Sequence, residues 1–324
     1  MLVTMNTLQR ILFGGLLAVG VLVQAGEPKV AFHDDGRGQL QILVDGREAL
    51  AYQYAPDLDM AHFYPVRSPS GKSMTVEQTE PYPHHRSFWF ADTIQLEGNR
   101  QASTYFAINS KDPKDPKSPF KDHIRHVAFV PGKTEGNEGT IGMKLVWEMD
   151  RNVPMLDEQR LLRVVSLGEG EYFLDVTFTL TAAYGNVTFK SDNAHYAWPY
   201  IRINEQFNVE KGKATMTNSE GGVNQKQTHG KPAHWVDYSA PVADGFEGLA
   251  MFSHPSNGYP HTWLTRDYGT FGPRRVDAKN GKPFVLPKGE SLVQRIGVLV
   301  HKGDVKTGRV AERYRQYVED KIGP

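Results

Sequence analysis

Residues 159–182 read QRLLRVVSLGEGEYFLDVTFTLTA. In the second half, Tyr172, Leu174, Val176, Phe178 and Leu180 fall on one side of an extended chain and Asp175, Thr177, Thr179 and Thr181 on the other. That period of two buries one face of a strand. Gly168-Glu169-Gly170 supplies the positive φ angles of a tight reversal, so Gln159 to Val165 and Tyr172 to Ala182 should pair as an antiparallel hairpin. The same alternation recurs upstream, where Ile141, Met143, Leu145, Trp147 and Met149 interleave with Gly142, Lys144, Val146 and Glu148. Leu40 to Val44, Asp45-Gly46 and Glu48 to Tyr54 read as a second hairpin, and Gly248 to Phe252 and Leu292 to Val300 as central strands. Only the C-terminus has a helical period: Val310, Tyr314, Tyr317 and Val318 share one face behind Thr307 as the expected N-cap, which predicts a helix lying over a sheet or closing its end. Many strands separated by turn residues, without alternating helices, predict an all-β chain, a large antiparallel β-sandwich with a C-terminal helix. The Pro-rich polar stretch 111–119 reads as a surface loop inside that domain.

The first 25 residues read as a signal peptide. Arg10 is their only charge, the apolar run Ile11 to Val23 follows, and Val23-Gln24-Ala25 suits a cleavage site. An apolar run of about 13 residues falls short of the roughly 20 that cross a bilayer. A periplasmic or secreted β-sandwich domain over 26–324 is therefore expected, with no membrane span after cleavage. Lys+Arg 37 balances Asp+Glu 37, which gives no basic surplus for nucleic acid. Cysteine is absent, which excludes thiolate metal sites and cysteine nucleophiles. No His-Glu-x-x-His, Gly-x-Ser-x-Gly, phosphate-loop or dinucleotide fingerprint occurs, so neither a metal nor a cofactor is expected. What remains is acid/base work by histidine, with arginine as charge stabiliser.

Four short segments concentrate histidine, arginine and tryptophan. Pro81 to Phe90 contains His84-His85-Arg86 and Trp89; on a regular strand His84 and Arg86 would face away from His85 and Trp89. In Asp122 to His126 a carboxylate stands where it can orient an imidazole, Asp122 toward His126. Asp192 to Tyr200 offers Asp192, His195, Trp198 and further rings, the planar faces and polar groups that suit a sugar. Ser253 to Gly269 is the densest, with His254 at a strand end and Asn257, His261, Trp263 and Arg266 on the loop and strand that follow.

Trp235-Val236-Asp237-Tyr238, Gly248 to Asn257, Pro260-His261-Thr262-Trp263 and Arg266-Asp267-Tyr268-Gly269, together with His84 to Phe90 in the same order, resemble a bacterial family of unknown function labelled "PmoA family" or "methane oxygenase PmoA". A methane monooxygenase membrane subunit needs several transmembrane helices, and this chain has one short apolar segment at the leader position. The resemblance instead implies an exported β-sandwich akin to the galactose-mutarotase sandwich. It departs at Ala91-Asp92-Thr93, where relatives continue with histidine and glycine.

These readings converge on a carbohydrate-active protein, a hydrolase/lyase or an epimerase, taking a small-molecule or oligosaccharide ligand. His254, His195 and His85 are the expected acid/base groups. Arg86 and Arg266 would bind an oxygen of the ligand, with Asn257, His261 and Asp192 as further polar contacts, and Trp89, Trp198 and Trp263 would stack on the sugar. Two-carboxylate hydrolysis would draw on Asp192, Asp237 and Asp267. The rival expectation is a non-catalytic glycan-binding module. Two of the three histidines in one pocket would favour catalysis.

Overall fold

The computed structural model describes residues 28–115, 117–190, 196–258, 261–275 and 283–324. The leader segment, Asp192 and His195 lie outside the described residues. Two large sheets face each other. The front sheet has eight strands, in the order Val30–Asp34, Gln39–Val44, Arg47–Gln53, His62–Val66, Phe88–Trp89, Tyr200–Arg202, Thr270–Pro273 and Trp263–Thr265. The back sheet runs Thr215–Asn218, Trp235–Val242, Gly245–Ser253, Ser291–Lys302, Glu171–Thr181, Val153–Gly168, Glu138–Met149 and His123–Val130. A smaller side sheet joins Phe284–Leu286, Val187–Phe189, Thr93–Leu96 and Gln101–Ser103. The pairings between these strands are antiparallel.

The hairpins read from the alternation are present. Leu162 stands opposite Val176 and Leu161 opposite Thr177, and the reversal is made by Gly168, Glu169 and Gly170, all at positive φ. Asp45 and Gly46 turn the first hairpin at φ 49° and 74°. Tyr172, Leu174, Val176, Phe178 and Leu180 point into the sandwich with at most 1% exposure. There Phe178 meets Phe90 at 5.1 Å and Phe88 at 6.5 Å from the front sheet, and Tyr238 meets Phe271 at 4.8 Å.

The C-terminal helix Val310–Val318 packs on the other side of the back sheet. Val310 and Tyr317 close a second apolar cluster with Phe173, Phe252, Trp235 and Leu299. Phe173 is thus buried although it alternates away from the sandwich. Thr307 is not the N-cap. Its hydroxyl exchanges hydrogen bonds with Asp304, and the helix starts from Arg309 at φ 54°. No described helix is long and apolar enough to cross a membrane.

Candidate functional site

Strand alternation decides which front-sheet side chains leave the sandwich. Phe88, Ile201 and Phe271 stand opposite one another and pack inward. Trp89 and Tyr200, and Arg202 and Thr270, are likewise opposite, one residue out of step, so they share the outer face. Thr270 and Gly272 keep that face, and Arg274 continues it just past the strand end. Gly272 is required there because a Cβ would lie 2.0 Å from the Pro199 carbonyl oxygen.

The expected strand through His84 and His85 is instead a turn: Tyr82 bridges Thr79, the His85 amide donates to the Tyr82 carbonyl, and the strand begins only at Phe88. The turn brings the adjacent histidines to one side, edge to face at 4.5 Å. His85 lies flat on Tyr82 at 4.9 Å, with Trp89 at 5.5 Å. Its Nε2 is 3.4 Å from the Tyr105 hydroxyl and its Nδ1 3.4 Å from the Thr270 hydroxyl. Burial first, then His84 and the Arg202 and Arg86 guanidiniums, push the His85 imidazole down to about 2, so it is neutral at physiological pH.

From Thr270 the outer face closes into a circuit. The Arg202 guanidinium donates to the Tyr268 carbonyl and lies over the Tyr268 ring at 4.5 Å, and Tyr268 packs flat on Tyr82 at 5.1 Å. Beyond Tyr268, Arg266 Nη1 reaches the two ring nitrogens of His229 at 2.8 and 3.0 Å, and Arg274 Nη2 is 3.3 Å from His229 Nε2. On the far side Tyr105 packs at 5.2 Å from Tyr200 and 4.5 Å from Tyr196, and Trp89 stacks on Tyr200 at 4.8 Å. Tyr82, His84, Arg266 and Tyr268 are partly exposed and form its open side.

The other expected site residues go elsewhere. Arg86 makes a two-pronged pair with Asp59 at 3.0 and 2.6 Å, both side chains at most 2% exposed, and so does not face a ligand. Trp89, Trp198 and Trp263 are core residues rather than open platforms. The Trp198 indole donates to Asp92 at 2.8 Å and the Trp263 indole to the Ala233 carbonyl at 2.8 Å. His254 caps the turn Pro255–Asn257 by accepting from the Ser256 amide, beside Arg295 and Tyr317 under the C-terminal helix. Asn257 ties that turn to the strand through the Arg295 backbone at 2.7 Å in both directions. His261 is buried, with Nδ1 against the Arg274 carbonyl at 3.0 Å. Asp237 is fully buried against His301 at 2.9 Å, and Asp267 accepts from the Gln225 amide at 2.8 Å. Asp122 is held by Arg100, not His126, whose ring meets Tyr52 at 3.2 Å. Of the expected residues, the structure brings His85 and the buried Trp89 together at 5.5 Å, with Arg266 further along the same face at His229. Tyr105, Arg202, His229, Tyr268 and Arg274 were not foreseen as site residues; the His84 to Phe90 and Arg266 to Gly269 motifs were the signals pointing at this neighbourhood.

The profile of a family of unknown function, DUF6807, matches residues 39–315. No curated protein matches the chain. Among solved structures, the α-galactosidase from Lactobacillus brevis is similar at 7% identity and a TM-score of 0.47, over 92% of this chain and 42% of that one. The GH36 α-galactosidase AgaB from Geobacillus stearothermophilus gives 10%, 0.46, 86% and 42%, respectively. Galactose 1-epimerase from Lactobacillus acidophilus gives 9% and 0.39, over 85% of this chain and 99% of that one. The chain spans under half the length of the two α-galactosidases.

Proposed function

Taking as premise that the chain belongs to the DUF6807 family of unknown function, we propose that it is an exported carbohydrate-active protein holding a sugar on the outer face of its front sheet, against His85. One observation carries the proposal. The circuit of Tyr82, His85, Tyr105, Thr270, Arg202 and Tyr268 combines flat aromatic faces with convergent donors and acceptors. Aromatic faces cover the C–H surface of a pyranose, and hydroxyls are fixed by polar groups around it. The neutral His85 imidazole offers one N–H and one lone pair, so it can accept the proton of a sugar hydroxyl while donating to a neighbouring oxygen. His85 is buried and its present contacts at 3.4 Å are long, so a ligand that reached it would exchange them for shorter ones.

The low basicity of His85 favours a second reading, a non-catalytic glycan-binding module. Forming the imidazolium here costs about 6 kcal/mol more than in water, from a drop of 6.5 to about 2. The two readings part in one experiment: wild type, His85→Gln and Tyr105→Phe are titrated with, and assayed for turnover on, neutral, acidic and oxidised oligosaccharides. Turnover lost in His85→Gln supports catalysis; saturable binding without turnover supports the module. Binding unchanged in both variants refutes the site.

A further inference from the structure

Arg202 and Arg274 are 4% and 3% exposed, yet neither has a carboxylate partner among the described residues. Nor does Arg266, whose guanidinium donates to His229 and to the Thr265 carbonyl. Two other buried guanidiniums are paired, Arg86 with Asp59 and Arg160 with Glu158, while the buried Arg313 donates instead to the Gln316 side-chain oxygen and the Gly323 carbonyl. A buried cation without a counter-charge is costly, and Arg202 and Arg274 carry that cost. Two further features show that Arg202 and Arg274 are not fully satisfied internally. The Nε atoms of Arg202 and Arg274, and the hydroxyl of Thr262, are buried without a hydrogen-bond partner. Thr262 and Arg274 are neighbours across the edge of the front sheet, where the Arg274 amide donates to the Thr262 carbonyl, so these unmet donors are adjacent. The electrostatics agree: burial and the nearby Arg266 lower Arg274 to about 10, and burial lowers Arg202.

We propose that Arg202, Arg266 and Arg274 form an anion subsite that binds the carboxylate of an acidic sugar, a uronic acid or uronate-bearing oligosaccharide, on the outer face of the front sheet. The inference rests on the reading of that face as a sugar site and names the class of sugar. A guanidinium fork matches the two coplanar oxygens of a carboxylate, which fits Arg266 and Arg274, converging on His229, with Arg202 further along the same face, better than it fits neutral hydroxyls. The aromatic layer of Tyr82, Tyr268 and Tyr105 then takes the ring that carries the carboxylate. Of the three, Arg202 adds to the burial and the His84 charge that hold His85 neutral, so an anion bound at Arg202 would offset that part and raise the basicity of His85. A neutral sugar cannot do this.

The test is calorimetric titration of the full chain at low and moderate salt with D-galacturonate, D-glucuronate, their neutral counterparts D-galactose and D-glucose, glucose 6-sulfate and sodium sulfate. Wild type is compared with Arg274→Gln, Arg274→Lys and the more exposed Arg266→Gln, each checked by circular dichroism. A uronate should bind at least tenfold more tightly than its neutral counterpart, weaken with salt, and lose at least tenfold in Arg274→Gln or Arg266→Gln, with partial recovery in Arg274→Lys. Equal binding of neutral and acidic sugars, unaffected by these substitutions, overturns the subsite and leaves the sugar reading standing. Sulfate binding lost in Arg274→Gln with no sugar bound overturns the sugar reading while the anion subsite stands. Preference for glucose 6-sulfate over both uronates overturns the carboxylate assignment. If Arg274→Gln fails to fold, Arg266→Gln decides, and its unchanged uronate affinity overturns the proposal.

Discussion

Replacing Arg86 with methionine should make the chain unfold more easily while the proposed sugar site still binds its ligand. Arg86 and Asp59 meet through two hydrogen bonds at 3.0 and 2.6 Å with both side chains out of water. Arg86→Met keeps most of the volume but strands the Asp59 carboxylate, which still accepts from the Met60 amide at 2.9 Å. Removing one member of such a pair costs about 3–5 kcal/mol. For a chain of this size that is a fall of roughly 6–10 °C in melting temperature. The double substitution Arg86→Met with Asp59→Leu removes both charges and should recover all but about 2 kcal/mol. Differential scanning calorimetry and urea unfolding of wild type, both single variants and the double close the cycle. An Arg86→Met protein that melts like wild type but has lost ligand binding would refute the reasoning, because it would place Arg86 on the ligand instead of on Asp59.

His85 gives a pH signature: its folded value lies below its unfolded one, so its contribution to stability is present above about pH 6.5 and is lost as pH falls toward 2. The loss is about 2 kcal/mol by pH 5, and His85→Gln should flatten that part of the profile in urea titrations. His301 has the opposite sign, since Asp237 raises its basicity against burial; its contribution is present below about pH 6.5 and fades as pH rises through the folded value, so His301→Gln should lose most in the acid range. His254→Ala removes a turn cap and should cost about 1 kcal/mol in chemical denaturation with ligand affinity unchanged. Gly272→Ala sets a methyl against the Pro199 carbonyl at 2.0 Å and should cost about 3 kcal/mol or more in thermal unfolding.

The two large sheets were legible because alternation and turn chemistry are local. Asp45-Gly46 and Gly168-Glu169-Gly170 announce their reversals, and Tyr172 to Leu180 announce their inward face. The site was less so. Its residues come from a turn at 82–85, a loop at 105, a strand at 200–202, the end of the short helix Asn224–Thr228 at His229 and a strand pair at 262–274, which only long-range contacts bring together. Tyr200-Ile201-Arg202 alternates without revealing which side is solvent, so Arg202 gave no signal. The tryptophans misled because an indole with a hydrogen-bond partner is as content in a core as on a surface: Trp198 finds Asp92 and Trp263 finds the Ala233 carbonyl. Tyr82 and Tyr268, both partly exposed, take that aromatic role instead. His254 looked catalytic because a histidine at a strand end before Pro-Ser-Asn is also what a capped turn looks like.

A crystal structure of the protein soaked with an acidic oligosaccharide tests the central claim most directly. The sugar should lie on the outer face of the front sheet, with its carboxylate within hydrogen-bond distance of Arg274 or Arg202 and a hydroxyl within hydrogen-bond distance of His85. A sugar bound instead beside His254 and the C-terminal helix, or anywhere that leaves His85 untouched, would contradict it.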